Sequence, residues 1–292
     1  MYSLEDIKLE ASKTGYSALR DILYGTNTFS RRLVGQEDDC STPVRLGGKL
    51  LEQMPDWLIE YEIPEGLETE FMGVLFESPL ALASYNSNYG AIKQFTKFGL
   101  GGAATKSLMA QKRPGNPDPR HERLTLDGYP CDINSYALPS KGVIEERRLL
   151  ENSGLCESGA VLILNIAGDD IKEYLYVLEK MLESPKIGAL RKDNRLIIEH
   201  NWGCPNTLTG QNMCLRLNEA EALLEKTEKT GIPALVKIPP YLARHSREES
   251  DEAIFQIAKM CAGYENIGMT IANTIPVDAA NPNEEIAKAC CA

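Results

Sequence analysis

VLILNIAGDDIKEYLYVLEKML, residues 161–182, is the stretch that decides the fold. Its opening, 161–167, is a short apolar run of the length of one strand. From 170 to 182 the apolar residues return every three or four positions, which is the spacing of one helix face. A strand that feeds directly into an amphipathic helix is half of a βαβ unit, and repeated βαβ units build a parallel sheet.

Working outward, the same texture recurs on both sides. Candidate strands fall at 80–84, 102–106, 161–167, 196–201, 234–238 and 268–273, six in all. Helical stretches follow at 170–182, 218–230 and 248–261; the second has an acidic first turn and a basic last turn, as the helix dipole favours. The excursion after the second strand is long and rich in Gly and Pro. Upstream, ETEFMGVLFESP (68–79) alternates in strand fashion around Met72-Gly73, which predicts a short hairpin leading into the main domain. The main domain is therefore expected over 68–292. Residues 1–67 lack a strong period and are expected to form an unassigned N-terminal extension.

Composition limits the function. The 31 basic and 42 acidic residues give a net charge of −11, which argues against generic binding to nucleic acid or to an anionic membrane surface. There is no apolar run of about 18 residues and no basic-then-apolar start, so a cytoplasmic protein is expected. The eight cysteines form no CxxC pair, which argues against the familiar zinc and iron–sulfur sites, and no metal is expected. The stretch 99–107 (GLGGAATKS) resembles a phosphate-binding loop only superficially, because Thr105 stands where that loop needs glycine before the lysine. His121, His200 and His245 are scattered; His200 alternates away from Asn201 on its strand and reads as structural.

Polar residues stand at or near the end of each candidate strand: Ser84, Lys106, Asn165, Asn201, Lys237 and Asn273. In a barrel of parallel strands the carboxyl ends open onto one face, so these side chains are expected to converge there.

At these residues the chain resembles the dihydroorotate dehydrogenase family, over residues 68–274 and with the motifs in order. The motifs are Thr105-Lys106-Ser107, RPGNPDPR (113–120), NSYALP (134–139), NIAG (165–168), NWGCPN (201–206), VKIPPY (236–241) and Ala272-Asn273-Thr274. The resemblance implies a TIM-type (β/α)8 barrel and an FMN-dependent oxidation of dihydroorotate to orotate in pyrimidine synthesis. Cysteine rather than serine at 204 favours the soluble class, which the resemblance links to fumarate as electron acceptor; a homodimer is expected.

Carried over residue by residue, the resemblance makes Cys204 the base that takes the C5 proton of dihydroorotate. A free thiol has a pKa of about 8.5, so only a small thiolate fraction is present at neutral pH unless the surroundings favour it. Lys106 is implied beside both flavin and substrate. Asn134, Asn201, Asn206 and Asn273 would read the pyrimidine ring, since an amide side chain carries both donor and acceptor. With them go Ser135, Tyr136, Ala137 and Leu138 of the loop, and Thr274. Ala83, Ser84, Lys106, Ser107, Asn165, Asn201, Lys237 and Ala272 are implied as the flavin's surroundings, with Lys237 near the edge that gains negative charge on reduction.

The chain departs from the family pattern in places. Tyr85 stands for a usual glycine, Gly203 for the serine before the cysteine, and Tyr136 and Ala137 for Met and Gly in the loop. The sequence is also expected to stop before strands seven and eight, whose loops hold the flavin phosphate in the family. Two other readings stay open: a pyrimidine-reducing flavoprotein of the dihydropyrimidine dehydrogenase type, and a non-catalytic truncated remnant.

Overall fold

Two helices come first, α1 (Ser41–Glu52) and α2 (Asp56–Ile59), in a computed structural model that describes residues 41–84, 86–117, 120–126, 129–204, 213–242 and 245–274. The predicted hairpin follows as β1 (Thr69–Phe71) and β2 (Val74–Phe76). Phe71 pairs with Val74, so the turn is the two residues Met72 and Gly73, with φ of 54° and 74°. Positive φ at both central residues is what a tight hairpin turn of the right twist requires.

The chain then builds β3 (Ala81–Leu82), α3 (Tyr89–Thr96) and β4 (Gly102–Ala104). The Gly- and Pro-rich excursion contains β5 (Lys112–Arg113), β6 (His121–Leu126), β7 (Tyr129–Asn134), β8 (Ser140–Lys141) and α4 (Val143–Asn152). Regular alternation returns with β9 (Val161–Ile166), α5 (Ile171–Leu182), α6 (Pro185–Lys192) and β10 (Leu196–Asn201). It continues through α7 (Leu217–Glu228), β11 (Ala234–Ile238), α8 (Arg247–Cys261) and β12 (Ile267–Ile271).

β3, β4, β9, β10, β11 and β12 form one six-stranded sheet in that order, every neighbouring pair parallel. This is the winding of a (β/α) barrel, in which each strand lies beside the one made before it. The six strands are those expected from the sequence, with β3 and β4 shorter than 80–84 and 102–106 and with β12 ending at Ile271 rather than at 273. Among the described residues no further strand pairs with the outer side of β3 or β12. Ile271, on β12, is 80% exposed. The excursion supplies two small antiparallel pairs instead, β5 with β8 and β6 with β7.

Alternation along the strands separates two cores. Leu162, Leu164, Leu196, Ile198, Ala234 and Val236 turn outward and pack with helix residues such as Val177, Met181, Leu190, Leu223 and Ile257. Ala104, Val161, Ile163, Ile197 and Leu235 turn inward and meet Val74 and Phe76 of the hairpin. The hairpin thus closes the amino-terminal mouth of the sheet. Close approach there explains two glycines of the 99–107 stretch: a Cβ on Gly101 would meet the Ser78 carbonyl at 2.2 Å, and one on Gly102 would meet the Phe76 ring at 2.8 Å.

α5 and α8 begin where the sequence places a capping side chain. Asp170 accepts from Glu173 N–H at the start of α5, and Ser246 and Glu249 form a reciprocal capping box on α8. α1 lies against α3: Gln94 Nε2 donates to the Glu52 carbonyl at 3.3 Å and Asn88 Nδ2 to its carboxylate at 3.2 Å. Residues 41–67 therefore brace the first helix of the sheet. Among the described residues no helix is long and apolar enough to cross a membrane.

Candidate active site

Side chains on the inner face stack in levels above the hairpin. Ile163, Ile197 and Leu235 form the apolar floor. Two residues further along each strand, the same alternation must bring up Asn165, Glu199 and Lys237, with Thr270 of β12 in register with Lys237. Glu199 is buried and gathers this level. It accepts from Asn165 Nδ2 and from Thr270 Oγ1, the latter at 2.8 Å, and faces Lys237 Nζ at 3.8 Å.

The next level is the carboxyl rim. Asn201 Nδ2 donates to Ser107 Oγ at 3.1 Å, and its Oδ1 accepts from Asn273 Nδ2 at 3.2 Å. Asn273 is set above β12 by its own N–H, which donates to the Ile238 carbonyl at 2.8 Å. One hydrogen-bonded chain thus crosses the rim from the segment after β4 to the segment after β12. Tyr174 of α5 supports it from below, its hydroxyl donating to the Asn201 carbonyl at 3.0 Å.

Lys106 leaves the end of β4 and places its ammonium 4.5 Å from the centre of the Tyr136 ring, within the range of a cation–π contact. Burial pushes its pKa down to about 8; the Cys204 sulfur opposes that shift and the Lys237 charge adds to it. Lys106, Cys204 and Lys237 therefore share one electrostatic environment. The thiol of Cys204, half-buried, packs on Met109, Leu138 and Ala167.

The loop after β7 reaches this thiol through an unusual backbone. Ala137 and Leu138 have φ of 54° and 52°, a left-handed conformation that costs a residue with a Cβ about 1–2 kcal/mol. A glycine would adopt it freely, whereas Ala137 holds it with strain. The loop is braced from outside: Asn116 Nδ2 donates to the Ser135 carbonyl at 2.9 Å, and Ser135 N–H donates to the Arg120 carbonyl at 2.9 Å. Arg113 forms a largely buried ion pair with Asp169, which ties the excursion to the end of β9. Gly203 sits in a tight place, since a Cβ would meet the backbone of Ile238 and Pro239 at 2.9 Å and that backbone would have to shift.

The structure thus brings together Lys106, Ser107, Tyr136, Leu138, Asn201, Cys204 and Asn273 on the rim, with Asn165 and Lys237 one level below. Asn134 is half-buried at the end of β7, paired across to His121. Thr274 is exposed, and its N–H donates to Asn273 Oδ1 at 2.8 Å. Ala83 and Ala272 are exposed and Ser84 is half-buried. Asn206 lies outside the described residues. Glu199 and Thr270 are additions to the sequence-based set. His200 points the other way, as its alternation indicates: it is fully buried against Thr227, Tyr174 and Trp202, and burial pushes its pKa down to about 3. Cys156, Cys214 and Cys261 are buried thiols pushed up to about 11, 12 and 11, so they are inert structural residues.

Comparison with known proteins agrees with this architecture. The catalytic subunit of dihydroorotate dehydrogenase B (NAD(+)) from Petrotoga mobilis is 30% identical over 212 residues, which cover 70% of this chain and 62% of the relative. Dihydroorotate dehydrogenase (fumarate) from Kluyveromyces lactis is 28% identical over 179 residues, 60% of this chain and 53% of the relative. The chain thus spans 62% or less of the length of these curated relatives. Two Eimeria tenella DHODH crystal structures, ligand-free and in complex with ferulenol, share the fold. They superpose with TM-scores of 0.59 and 0.56 at 21% and 20% identity, over 83% of this chain and 72% and 68% of theirs. The dihydroorotate dehydrogenase family model itself matches residues 66–283, from just before the closing hairpin to beyond the Asn273 rim, and the chain belongs to that family.

Proposed function

We propose that this chain carries the dihydroorotate-oxidising site of a flavin enzyme, with FMN as cofactor and Cys204 as the proton acceptor. The observation that carries the reading is the rim itself: an ammonium, a thiol and a connected pair of asparagines brought from three strands, β4, β10 and β12, to one end of the sheet.

The inner face suits a flavin. Asn165 Oδ1 is buried with no hydrogen-bond partner among the described residues, although its amide nitrogen is engaged by Glu199. A buried acceptor without a donor costs about 1–3 kcal/mol, and a ring N–H or a sugar hydroxyl would satisfy it. Lys237 and Lys106 supply positive charge on the same side, which suits a ring that becomes more negative on reduction. Asn165, Ser107, Lys106 and Lys237 are the residues that would hold it; Ala83, Ser84 and Ala272 stand at the ends of the outermost strands. When bound, the flavin supplies the acceptor for the hydride that leaves C6 of the substrate.

The protein's own part is proton handling and orientation. The Cys204 thiolate takes the proton from C5, and the pair from that broken C–H bond becomes the C5=C6 double bond of orotate. The charge of Lys106 favours the thiolate, since an ammonium held by a neighbouring negative sulfur stabilises that sulfur in return. The same ammonium matches the ring carboxylate of dihydroorotate. Asn134, Asn201 and Asn273 present amides to the ring's alternating N–H and C=O groups, with Thr274 beside them, the family resemblance assigns Asn206 the same role, and residues 135–138 fold a backbone wall over the thiol. The packing of Leu138 on Cys204 limits water at the sulfur.

Turnover of dihydroorotate and dihydrouracil by the purified, flavin-loaded protein tests the reading. Dihydrouracil lacks the carboxylate that Lys106 would meet, so dihydroorotate should be strongly preferred. Equal rates, or a preference for dihydrouracil, would move the assignment to another pyrimidine-reducing flavoprotein. For the electron acceptor we propose fumarate, on the strength of cysteine at the base position; NAD(+) is named in relatives of similar identity, and assay with each acceptor separates the two.

A further inference from the structure

We propose that Glu199 is a positioning residue of the flavin face, which fixes Lys237 and offsets its charge, and so sets how strongly reduction of the bound flavin is favoured. The inference rests on the flavin reading above and adds to it a residue that touches neither ring nor substrate.

Four observations carry it. Glu199 is buried on the inner face, one alternation below Asn201, where an ionised carboxylate persists only if paired and hydrogen-bonded. Its oxygens are engaged from three neighbouring strands: Asn165 of β9 and Lys237 of β11 at one, Thr270 of β12 at the other. Lys237 is itself mostly buried, with 12% of its side chain exposed, and shares its surroundings with a second ammonium, that of Lys106. Finally, Asn165 gives its amide N–H to Glu199 and so turns its unpartnered Oδ1 away from the carboxylate. One carboxylate therefore orients two of the residues proposed to meet the flavin.

The electrostatic consequence has a sign. A lysine ammonium near a ring that gains negative charge favours the reduced form. A carboxylate behind that ammonium weakens its field, and a water-poor interior screens neither charge well. Glu199 thus holds the potential of the flavin below the value that Lys237 alone would give.

The test is the midpoint potential of flavin bound to the wild-type protein and to Glu199→Gln, each equilibrated with a reference dye. Gln keeps the size of the side chain and removes the charge; its carbonyl can still accept from Asn165, and its amide N–H can donate to the Thr270 hydroxyl, which then accepts. The expected result is a more positive potential in Glu199→Gln, by a tenfold or greater change in the reduced-to-oxidised ratio at fixed poise, equivalent to about 30 mV for a two-electron couple. An unchanged or more negative potential would overturn the assignment. Should Glu199→Gln not fold, the pair Glu199→Gln/Lys237→Met decides. Recovery of a folded protein on removing the charge that Glu199 offsets supports the pairing, whereas failure of the pair as well makes Glu199 a strut of the sheet and sinks the proposal. A wild-type protein that takes up no flavin would instead refute the functional reading on which the proposal stands.

Discussion

Lys106 shows most directly how a single residue joins fold to chemistry. Its place after β4 follows from the strand pattern, but its charge state depends on burial, which alternation does not quantify. With its pKa pushed down to about 8, the ammonium persists through neutral pH and is lost as the pH rises through that value. Orotate is an anion, so its affinity for the free protein should be level below pH 8 and fall above it, approaching tenfold per pH unit. Titration of orotate at several pH values checks this, and Lys106→Met should bind weakly with no such break; a profile for the wild type that is flat to pH 10 would remove the lysine from the anion site. Asn201, Asn273 and Ser107 are equally legible as residues, because their motifs name them; period-two alternation turns Asn201 inward, whereas Ser107 and Asn273 lie beyond the ends of β4 and β12, where alternation no longer holds. Glu199 is legible by the same rule, since the alternation that turns His200 outward turns its neighbour inward; no motif role draws attention to it. The strain at Ala137 is different. A positive φ at a residue with a Cβ leaves no trace in a single sequence, beyond the departure from a glycine that the family uses there.

Elements with their own periodicity are the ones the sequence states clearly. β9, β10 and β11 are buried at nearly every position, and α5 and α8 open on side-chain caps, so each has a local signal. The excursion between β4 and β9 is harder to read: its β5–β8 pair joins residues far apart in the chain, as when Lys112 pairs with Lys141, and Gly and Pro blur the period, although β6 and β7 are consecutive strands with Asp127-Gly128 between them in the sequence. The β1–β2 hairpin is legible from Met72-Gly73, but its purpose appears only in the packing, where Val74 and Phe76 meet the inner face of four strands. Phe76→Ala should therefore behave as a core truncation and lower stability by about 3 kcal/mol. Urea unfolding measures it, and a change of under about 1 kcal/mol would mean that the hairpin merely rests on the sheet.

At the scale of the whole molecule, the sheet has the sequential parallel winding of a barrel and covers six strands of the family's plan. The chain order of strands was legible because βα alternation permits few other arrangements. Which groups meet the outer sides of β3 and β12 is not written in local pattern, since strand edges are satisfied by distant chain. Amide hydrogen exchange addresses this. Protection should be strongest in β9 and β10, which are paired on both sides, and weaker along β12, where Ile271 is exposed. Protection of β12 equal to that of β10 would show that another segment or partner covers that edge. The central claim, that this rim oxidises dihydroorotate with Cys204 as base, is tested most directly by mixing dihydroorotate anaerobically with flavin-loaded wild type and Cys204→Ser and following loss of the flavin colour at neutral pH. A serine hydroxyl keeps the shape of the pocket but is a far weaker base, so bleaching should slow by about 100-fold or more while orotate affinity stays nearly constant. Equal bleaching rates in the two proteins, with orotate bound equally well, would contradict the account.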